Sequence, residues 1–106
     1  MKTKINVLGV DYELHLIDSR DSYMLKNDCD GYCDNYRHLI KVLITGNQKF
    51  TDEIVKHELL HAFLYESGID LGYGIHSEEN VNWFSLQFNK IRKAVEEYEK
   101  EYKKYE

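Results

Sequence analysis

The chain has 106 residues, 42% of them hydrophobic, which predicts one globular domain with a single core and argues against a second domain. Its 19 acidic and 14 basic residues give a net charge of −5 without a distinct basic cluster, so we expect no nucleic-acid partner. The apolar runs are short and the N-terminus has no apolar signal core, so we expect a cytoplasmic protein with no membrane partner.

The N-terminal half of the chain predicts strands. In residues 4–17, apolar and polar side chains alternate on both sides of Gly9, which is typical of a β-hairpin. Residues 18–34 are rich in Asp, Asn, Ser and Gly and predict a loop, with a short helical turn at residues 22–25. Residues 37–45 carry β-branched and other apolar side chains and predict a further strand.

Two helices are predicted in the C-terminal half. Thr51 is a favourable N-cap followed by acidic residues that oppose the helix dipole, so we expect the first helix to begin at about Asp52. It should end near Gly68, because glycine readily adopts the left-handed conformation that terminates helices. A glycine-rich link then leads to Ser77, which can cap the second helix.

The second helix carries apolar side chains at helical spacing, and we expect this face to be buried. The residues of the face are Val81, Phe84, Phe88, Ile91 and Val95. Residues 96–106 alternate Glu, Lys and Tyr without a strong apolar face, which predicts a solvated extension.

The first predicted helix contains the His-Glu-x-x-His pattern at residues 57–61. Helical residues four apart have Cβ atoms roughly 5–6 Å apart, so His57 and His61 can bind one Zn²⁺ ion. Glu58 lies one step round the helix, where it can take a proton from a zinc-bound water whose pKa the metal lowers to about 7. The pattern therefore predicts a zinc hydrolase with Glu58 as its catalytic base. Without a metal, the same segment would be an amphipathic helix whose histidines face solvent or satisfy polar groups of the core.

A catalytic zinc site needs a third protein ligand and one position for water. Glu66 lies too far round the first helix, which leaves His76, Glu78 and Glu79 as candidates. We favour Glu78, because it lies at the border of the expected buried face of the second helix, whereas Glu79 points more towards solvent. Asn82, one turn after Glu78, could hydrogen-bond a ligand.

The sequence leaves several other roles open. Cys29 and Cys33 could form a disulfide, bind a metal or remain thiols; an intracellular setting favours thiols, and no second cysteine pair is present to complete a structural zinc site. The group that stabilises the transition state could be His76, Tyr65 or Tyr73, and the sequence does not choose among them.

The motif at residues 57–61, together with residues 78–85, resembles the small gluzincin-like metallopeptidases of the ImmA/IrrE type and similar phage-borne proteins. In that family the second helix carries a Glu-x-x-Ala-Asn/Asp-x-Phe-Ala pattern. The matching positions here are Glu78 for the third-ligand glutamate, Val81-Asn82 for Ala-Asn and Phe84-Ser85 for Phe-Ala. The match covers roughly residues 54–88, about a third of the chain.

The resemblance implies an α+β fold in which a small N-terminal antiparallel sheet packs on the metal-bearing helix and a second, C-terminal helix follows. Residues 1–106 would form a single, minimal zincin-like domain. An edge strand, here residues 37–45, could align an extended peptide through main-chain hydrogen bonds. The resemblance also implies a protein or peptide substrate, such as a repressor-like regulator in a phage or mobile element.

The leading hypothesis is a zinc-dependent endopeptidase in which His57, His61 and Glu78 bind Zn²⁺ and Glu58 is the general base. The alternative is a non-catalytic, zinc-containing protein-binding module, in which a further protein ligand would close the fourth position of the metal. A third hypothesis is a zinc hydrolase that acts on a bond other than a peptide bond. The sequence indicates neither the substrate nor the oligomeric state.

Overall fold

The computed structural model describes residues 1–102 and confirms the predicted α+β class, with a four-stranded sheet and three helices in that range. The elements are β1 (Lys2–Val7), β2 (Val10–Ile17), α1 (Ser22–Asn27), β3 (Gly31–Asp34), β4 (Leu39–Leu43), α2 (Gln48–Glu66) and α3 (Glu78–Tyr102). The end of the predicted C-terminal extension, residues 103–106, lies outside the described residues. Within residues 1–102, no helix combines the length and the apolar character needed to cross a membrane.

The predicted N-terminal hairpin is confirmed. β1 and β2 pair in antiparallel register, with Val7 opposite Val10. Leu8 and Gly9 form the two-residue turn, with φ of 51° and 92°. A turn with positive φ at both central residues matches the natural twist of a hairpin, and the glycine adopts this conformation without steric cost.

The sheet is mixed, whereas the sequence predicted an antiparallel one. The strand order is β1-β2-β4-β3, and the central pair β2–β4 is parallel while both outer pairs are antiparallel. A parallel pair requires a crossover connection, and the segment containing α1 and β3 provides it. β3 was not predicted because its four residues lie in the polar, turn-rich segment. As a result β4 is an inner strand, and the edge strand expected at residues 37–45 is instead β3.

The first long helix begins earlier than predicted. α2 starts at Gln48, and its N-cap is Asn47, whose side chain accepts a hydrogen bond from the Phe50 N–H at 3.1 Å. Thr51, the predicted cap, is buried one turn inside the helix, where its hydroxyl accepts a hydrogen bond from the Thr45 N–H at 3.0 Å. Both residues are good caps, and only the tertiary contact with the end of β4 decides between them.

The other predicted helix ends agree with the structure. α2 ends at Glu66, with Ser67 as the C-cap and Gly68 at φ 97°. The Ser77 hydroxyl accepts a hydrogen bond from the Asn80 N–H at 3.1 Å, which caps the start of α3. Because both caps are short-range interactions, their sequence signals predicted them correctly.

One face of the sheet packs against α2 to form the core. Inward-facing residues of the sheet meet Ala62 of α2, and partly buried side chains of the helix surround them. The buried cluster consists of Val7, Tyr12, Leu14, Ile40, Val42 and Ala62. Since strand side chains alternate between faces, β2 and β4 each present every second residue to α2. This packing fixes the position of α2, which carries the His-Glu-x-x-His motif.

Gly31 allows β3 to lie very close to α2. A Cβ atom at this position would be 2.6 Å from Ile54 Cγ2 and 3.5 Å from Glu58 Cγ. Ile54 is β-branched and therefore has few alternative rotamers with which to make room. The missing side chain thus lets the edge strand run directly beside Glu58.

The expected buried face of α3 is mostly exposed, which corrects the sequence prediction. Val81 is buried, as is Ser85 one turn later, but the apolar residues that follow are not. Their exposed fractions are 39% for Phe84, 50% for Phe88, 49% for Ile91 and 47% for Val95. The reason is geometric: α2 borders α3 only as far as Phe88 and Lys90, and the rest of the 25-residue helix extends beyond it, in a molecule measuring 55 × 33 × 25 Å.

We predict that Gly31→Ala lowers the free energy of unfolding by about 1–3 kcal/mol, because the added methyl group overpacks the contact with Ile54. Gly46→Ala is the control, since a Cβ atom there would have no neighbour within 4 Å. Urea denaturation of both variants measures the effect. Equal stability changes in the two variants would contradict the close approach of β3 to α2.

Candidate metal centre

The structure brings His57, His61 and Glu78 together, with one potential ligand atom of each lying within 4.8 Å of the others. His57 and His61 lie one turn apart on α2, and Glu78 is the first residue of α3. The two Nε2 atoms are 3.2 Å apart. Glu78 Oε2 lies 3.1 Å from His57 Nε2 and 3.3 Å from His61 Nε2. The three residues favoured as ligands from the sequence therefore form one cluster.

These separations are compatible with a bound metal ion, and the geometry of zinc serves as the reference. Zn–N and Zn–O bonds of about 2.0–2.1 Å in tetrahedral geometry place neighbouring ligand atoms about 3.3 Å apart. The three separations in the cluster lie between 3.1 and 3.3 Å. Two imidazole nitrogens and one carboxylate oxygen also form a common donor set of catalytic zinc. The cluster is thus compatible with a metal ion.

His76 fixes the orientation of His61. The His76 side chain is 1% exposed; its Nδ1 lies 2.6 Å from the Ile69 carbonyl oxygen and its Nε2 lies 2.8 Å from His61 Nδ1. A carbonyl oxygen only accepts hydrogen bonds, so His76 Nδ1 is the donor. In neutral His76, Nε2 then accepts a hydrogen bond from His61 Nδ1–H, which leaves the lone pair of His61 Nε2 directed at the cluster.

The same histidine anchors the linker between the helices. The Gly72 N–H donates to the His76 carbonyl at 2.7 Å, and the His76 N–H donates to the Tyr73 carbonyl at 2.9 Å. The buried side chain reaches back to Ile69. These bonds hold residues 69–77 in a compact path that brings Glu78 to the histidine pair.

Glu58 is buried beside the metal cluster, with 9% of its surface exposed. Burial raises the pKa of its carboxyl group to about 7, and the nearby Glu78 carboxylate adds to this shift. In the metal-free protein, Glu58 therefore takes up and releases a proton near neutral pH. This property suits a general base.

The titration of the ligand residues reflects their proximity. Desolvation alone would raise the pKa of Glu78, but the imidazoles of His61 and His57 outweigh it, and the pKa is lowered. Burial lowers the pKa of His61, with Glu78 opposing this effect and His57 adding to it. The carboxylate of Glu78 and the neutral imidazole of His61 are the forms that bind a metal ion.

An open cavity of about 440 Å³ adjoins the cluster. His57, Glu58, His61 and Glu78 line one side, and residues of β3 line the other. A second cavity of about 270 Å³ borders His57 and Glu58 as well. The cluster is thus accessible to a molecule larger than water.

Most of the other candidate residues lie elsewhere or do not contact the ligands. Glu66 accepts a hydrogen bond from the Tyr12 hydroxyl at 2.6 Å. Glu79 is exposed and outside the cluster, and Tyr65 and Tyr73 border neither of the two cavities at the cluster. Asn82 borders the smaller cavity, and its side chain does not hydrogen-bond Glu78. His76 borders the larger cavity, but its Nε2 is hydrogen-bonded to His61. The three predicted candidates for transition-state stabilisation, His76, Tyr65 and Tyr73, therefore offer no free group to the open cavity.

The two cysteines are free thiols. Cys33 Sγ donates to Asn35 Oδ1 at 3.1 Å, and burial, followed by the charge of Glu58, raises its pKa to about 12. Cys29 borders both cavities at the cluster, and burial raises its pKa too. Among residues 1–102, His57, His61 and Glu78 form the one group arranged for a metal, so a second site at the cysteines is not supported.

Sequence reasoning missed the positions of two groups at the site. Gly31 and Cys29 lie next to the motif helix only because β3 pairs with β4, and their local sequence predicted a loop. His76 was considered as a ligand or a donor to the transition state, whereas the structure places it behind His61. No signal in the linker sequence predicts the contact with the Ile69 carbonyl.

Comparisons of the chain with models of known protein families, with curated proteins and with solved structures find no match. The resemblance to ImmA/IrrE-type metallopeptidases therefore stays a prediction that depends on the motifs and their spacing.

We predict that Glu58→Gln stabilises the metal-free protein in a pH-dependent manner. Because the folded-state pKa of about 7 exceeds the reference value of 4.5, the wild type loses stability as pH rises between these values. The glutamine variant does not, so its free energy of unfolding should exceed that of the wild type by at most about 3 kcal/mol above pH 7. The difference should vanish near pH 4.

The measurement is urea denaturation with a chelator present, from pH 4 to pH 8.5. Glu79→Gln, at an exposed position beside the cluster, is the matched control and should follow the wild type. A stability difference between Glu58→Gln and the wild type that is independent of pH would show that the buried charge is not its cause.

Proposed function

We propose that the protein is a zinc-dependent metallopeptidase that hydrolyses peptide bonds of a protein substrate. One observation carries the proposal: three ligand atoms converge beside the buried carboxylate of Glu58, at an open cavity. His57, His61 and Glu78 would hold the ion, and the remaining position would face the cavity. This combination of three protein ligands, an accessible position and a base is the pattern of a catalytic zinc site.

The donor set supports zinc over other common ions. Calcium and magnesium prefer six or more ligands, mainly oxygens, whereas the cluster offers two nitrogens and one carboxylate. Imidazole also suits copper, nickel and iron, and two histidines with one carboxylate can hold iron as well, but the His-Glu-x-x-His spacing on one helix favours zinc. We therefore propose Zn²⁺ as the cofactor.

Zinc, when bound, polarises the scissile carbonyl group and lowers the pKa of the attacking water. Glu58 takes the proton from this water and later passes it to the leaving amine, as a general base and then a general acid. The desolvated surroundings raise the pKa of the Glu58 carboxyl group, which means that its carboxylate is a stronger base. His76 acts through His61 and does not bind the ion itself. Its hydrogen bond holds His61 in the tautomer and ring orientation that bind the ion.

The edge strand β3 offers a means of aligning a peptide. The main-chain carbonyl oxygen of Asp30 accepts a hydrogen bond from the Leu43 N–H at 2.8 Å. In an antiparallel pair, successive residues of a strand point their main-chain N–H and C=O groups alternately towards and away from the neighbouring strand. The main-chain groups of Gly31 and Cys33 therefore point away from β4, towards the open edge of the sheet. Both residues also border the cavity beside Glu58. An extended substrate could therefore pair with β3 while its scissile bond lies at the cluster. A repressor-like regulator is the first substrate class to test.

The alternative is a zinc-containing module that binds a protein without turnover. Such a site would have its fourth position closed by a protein group, and the open cavity at the cluster argues against this arrangement. Zinc binding without any cleavage would favour the module.

We predict that Glu58→Gln retains stoichiometric zinc, because the ligands are unchanged, and lowers the rate of peptide cleavage at least about a hundredfold, because the general base is removed. His57→Ala should lose the metal. Zinc content is measured by atomic emission after dialysis, and cleavage by mass spectrometry of a mixed peptide library. A wild-type protein without stoichiometric zinc under metal-replete conditions would disprove the proposal.

The third ligand has a matched pair of variants. Glu78→Ala should lose the metal, whereas Glu79→Ala, one residue further along α3, should retain it. Equal zinc retention in both would exclude Glu78 as a ligand.

We predict that His76→Phe weakens zinc binding by about 10–100-fold, because the ring volume is kept while the hydrogen bond to His61 is lost. His38→Asn is the control, because His38 lies outside the cluster at φ 55°, which asparagine tolerates. Isothermal titration with a competing chelator gives the affinities, and urea denaturation of the metal-free variants separates this effect from unfolding. An unchanged zinc affinity in folded His76→Phe would exclude the orienting role.

A further inference from the structure

The exposed part of α3 carries an apolar stripe that neither the core nor the metal cluster uses. From Val81 to Tyr102, apolar residues are spaced alternately three and four residues apart without a break. The exposed members are Phe84, Phe88, Ile91, Val95, Tyr98 and Tyr102, with exposed fractions between 39% and 65%. The spacing continues through the segment that the sequence alone indicated to be a solvated extension.

This spacing is that of a coiled coil. A mean repeat of 3.5 residues keeps the apolar side chains on one narrow seam only if the helix pairs with another helix of the same repeat. Among the described residues this seam has no helical partner beyond about Lys90, because α2 borders α3 only as far as Phe88 and Lys90. A second copy of the chain supplies a helix with a matching repeat by symmetry.

The charges on α3 select the orientation of this pair. Lys90, Arg92 and Lys93 form a basic segment, and it is followed directly by an acidic one that begins with Glu96 and Glu97. Two parallel helices would place like charges side by side. Two antiparallel helices place the basic segment of each copy beside the acidic segment of the other.

We propose that the protein forms a homodimer through an antiparallel coiled coil of α3, with the two-fold axis near residues 96–97. In this register Val95 packs against Tyr98 of the second copy, and Ile91 against its Tyr102. Arg92 then lies beside Glu99 of the second copy, twice by symmetry. If the two-fold axis lay half a heptad closer to the N-terminus, near residue 93, the two Arg92 side chains would lie side by side and repel each other.

The contacts seen within one chain do not oppose this arrangement. Arg92 Nε lies 3.7 Å from Glu96 Oε1, and both side chains are more than half exposed, so this ion pair is weak and easily exchanged. The proposed axis lies about 28 Å along the helix from Glu78. The dimer would therefore leave the metal cluster and its cavity open.

Sedimentation equilibrium of the full chain from about 1 to about 200 µM tests the proposal, because this range covers the affinities expected of a small interface. The wild type should change from monomer to dimer with concentration. Val95→Glu, which puts a charge into the seam, should be monomeric throughout, and at about 1 µM, where the wild type is also monomeric, it should unfold in urea like the wild type. A wild-type chain that stays monomeric at the highest concentration would overturn the proposal, as would a Val95→Glu variant that dimerises like the wild type.

Charge reversals test the orientation. Arg92→Glu and Glu99→Arg should each weaken dimerisation about tenfold, and the double variant should return close to wild-type affinity. Lys93→Glu and Glu97→Arg make the same changes of charge outside the seam and should have less than about a threefold effect. Circular dichroism verifies that each variant keeps its helix. A double variant as weak as either single variant would overturn the antiparallel register.

Discussion

The convergence of one carboxylate oxygen and two imidazole nitrogens within about 3.3 Å is the constraint on which the rest of the site depends. A carboxylate oxygen and two imidazole lone pairs repel one another unless a cation or a proton lies between them. His76 strengthens this requirement, because its Nε2 accepts a hydrogen bond from His61 Nδ1–H and so directs His61 Nε2 towards the cluster. The fold therefore creates a place for positive charge, and the compact linker keeps Glu78 from relaxing away from it.

The parts of the fold and site that the sequence predicted share one property, which is that their determinants are local. The hairpin follows from alternation around a two-residue turn, the caps from single side chains, and the His57–His61 pair from helical spacing. Glu78 was identified from the motif resemblance and from its position three residues before Val81, at the border of the face of the second helix that was expected to be buried. Each of these signals lies within a few residues of the feature that it predicts.

The parts that were wrong depend on contacts between distant segments. β3 is formed by four residues of a polar segment and exists because β4 pairs with it, which also makes β4 an inner strand. Thr51 and Asn47 are both capable caps, and the neighbouring strand decides between them. The apolar face of α3 was expected to be buried because apolar periodicity normally indicates a core. Periodicity predicts that a face needs a partner and does not indicate whether that partner is in the same chain.

The short path from α2 to α3 has a further consequence. His61 and Glu78 are 17 residues apart in sequence, and the same ion would bind both. Such an ion would act as a reversible cross-link that closes a loop. A disulfide that closes a loop of about this size raises the free energy of unfolding by about 3 kcal/mol, because it lowers the conformational entropy of the unfolded chain. The two long helices would then be tied together at one end only, which leaves the far end of α3 free to serve as a rigid arm.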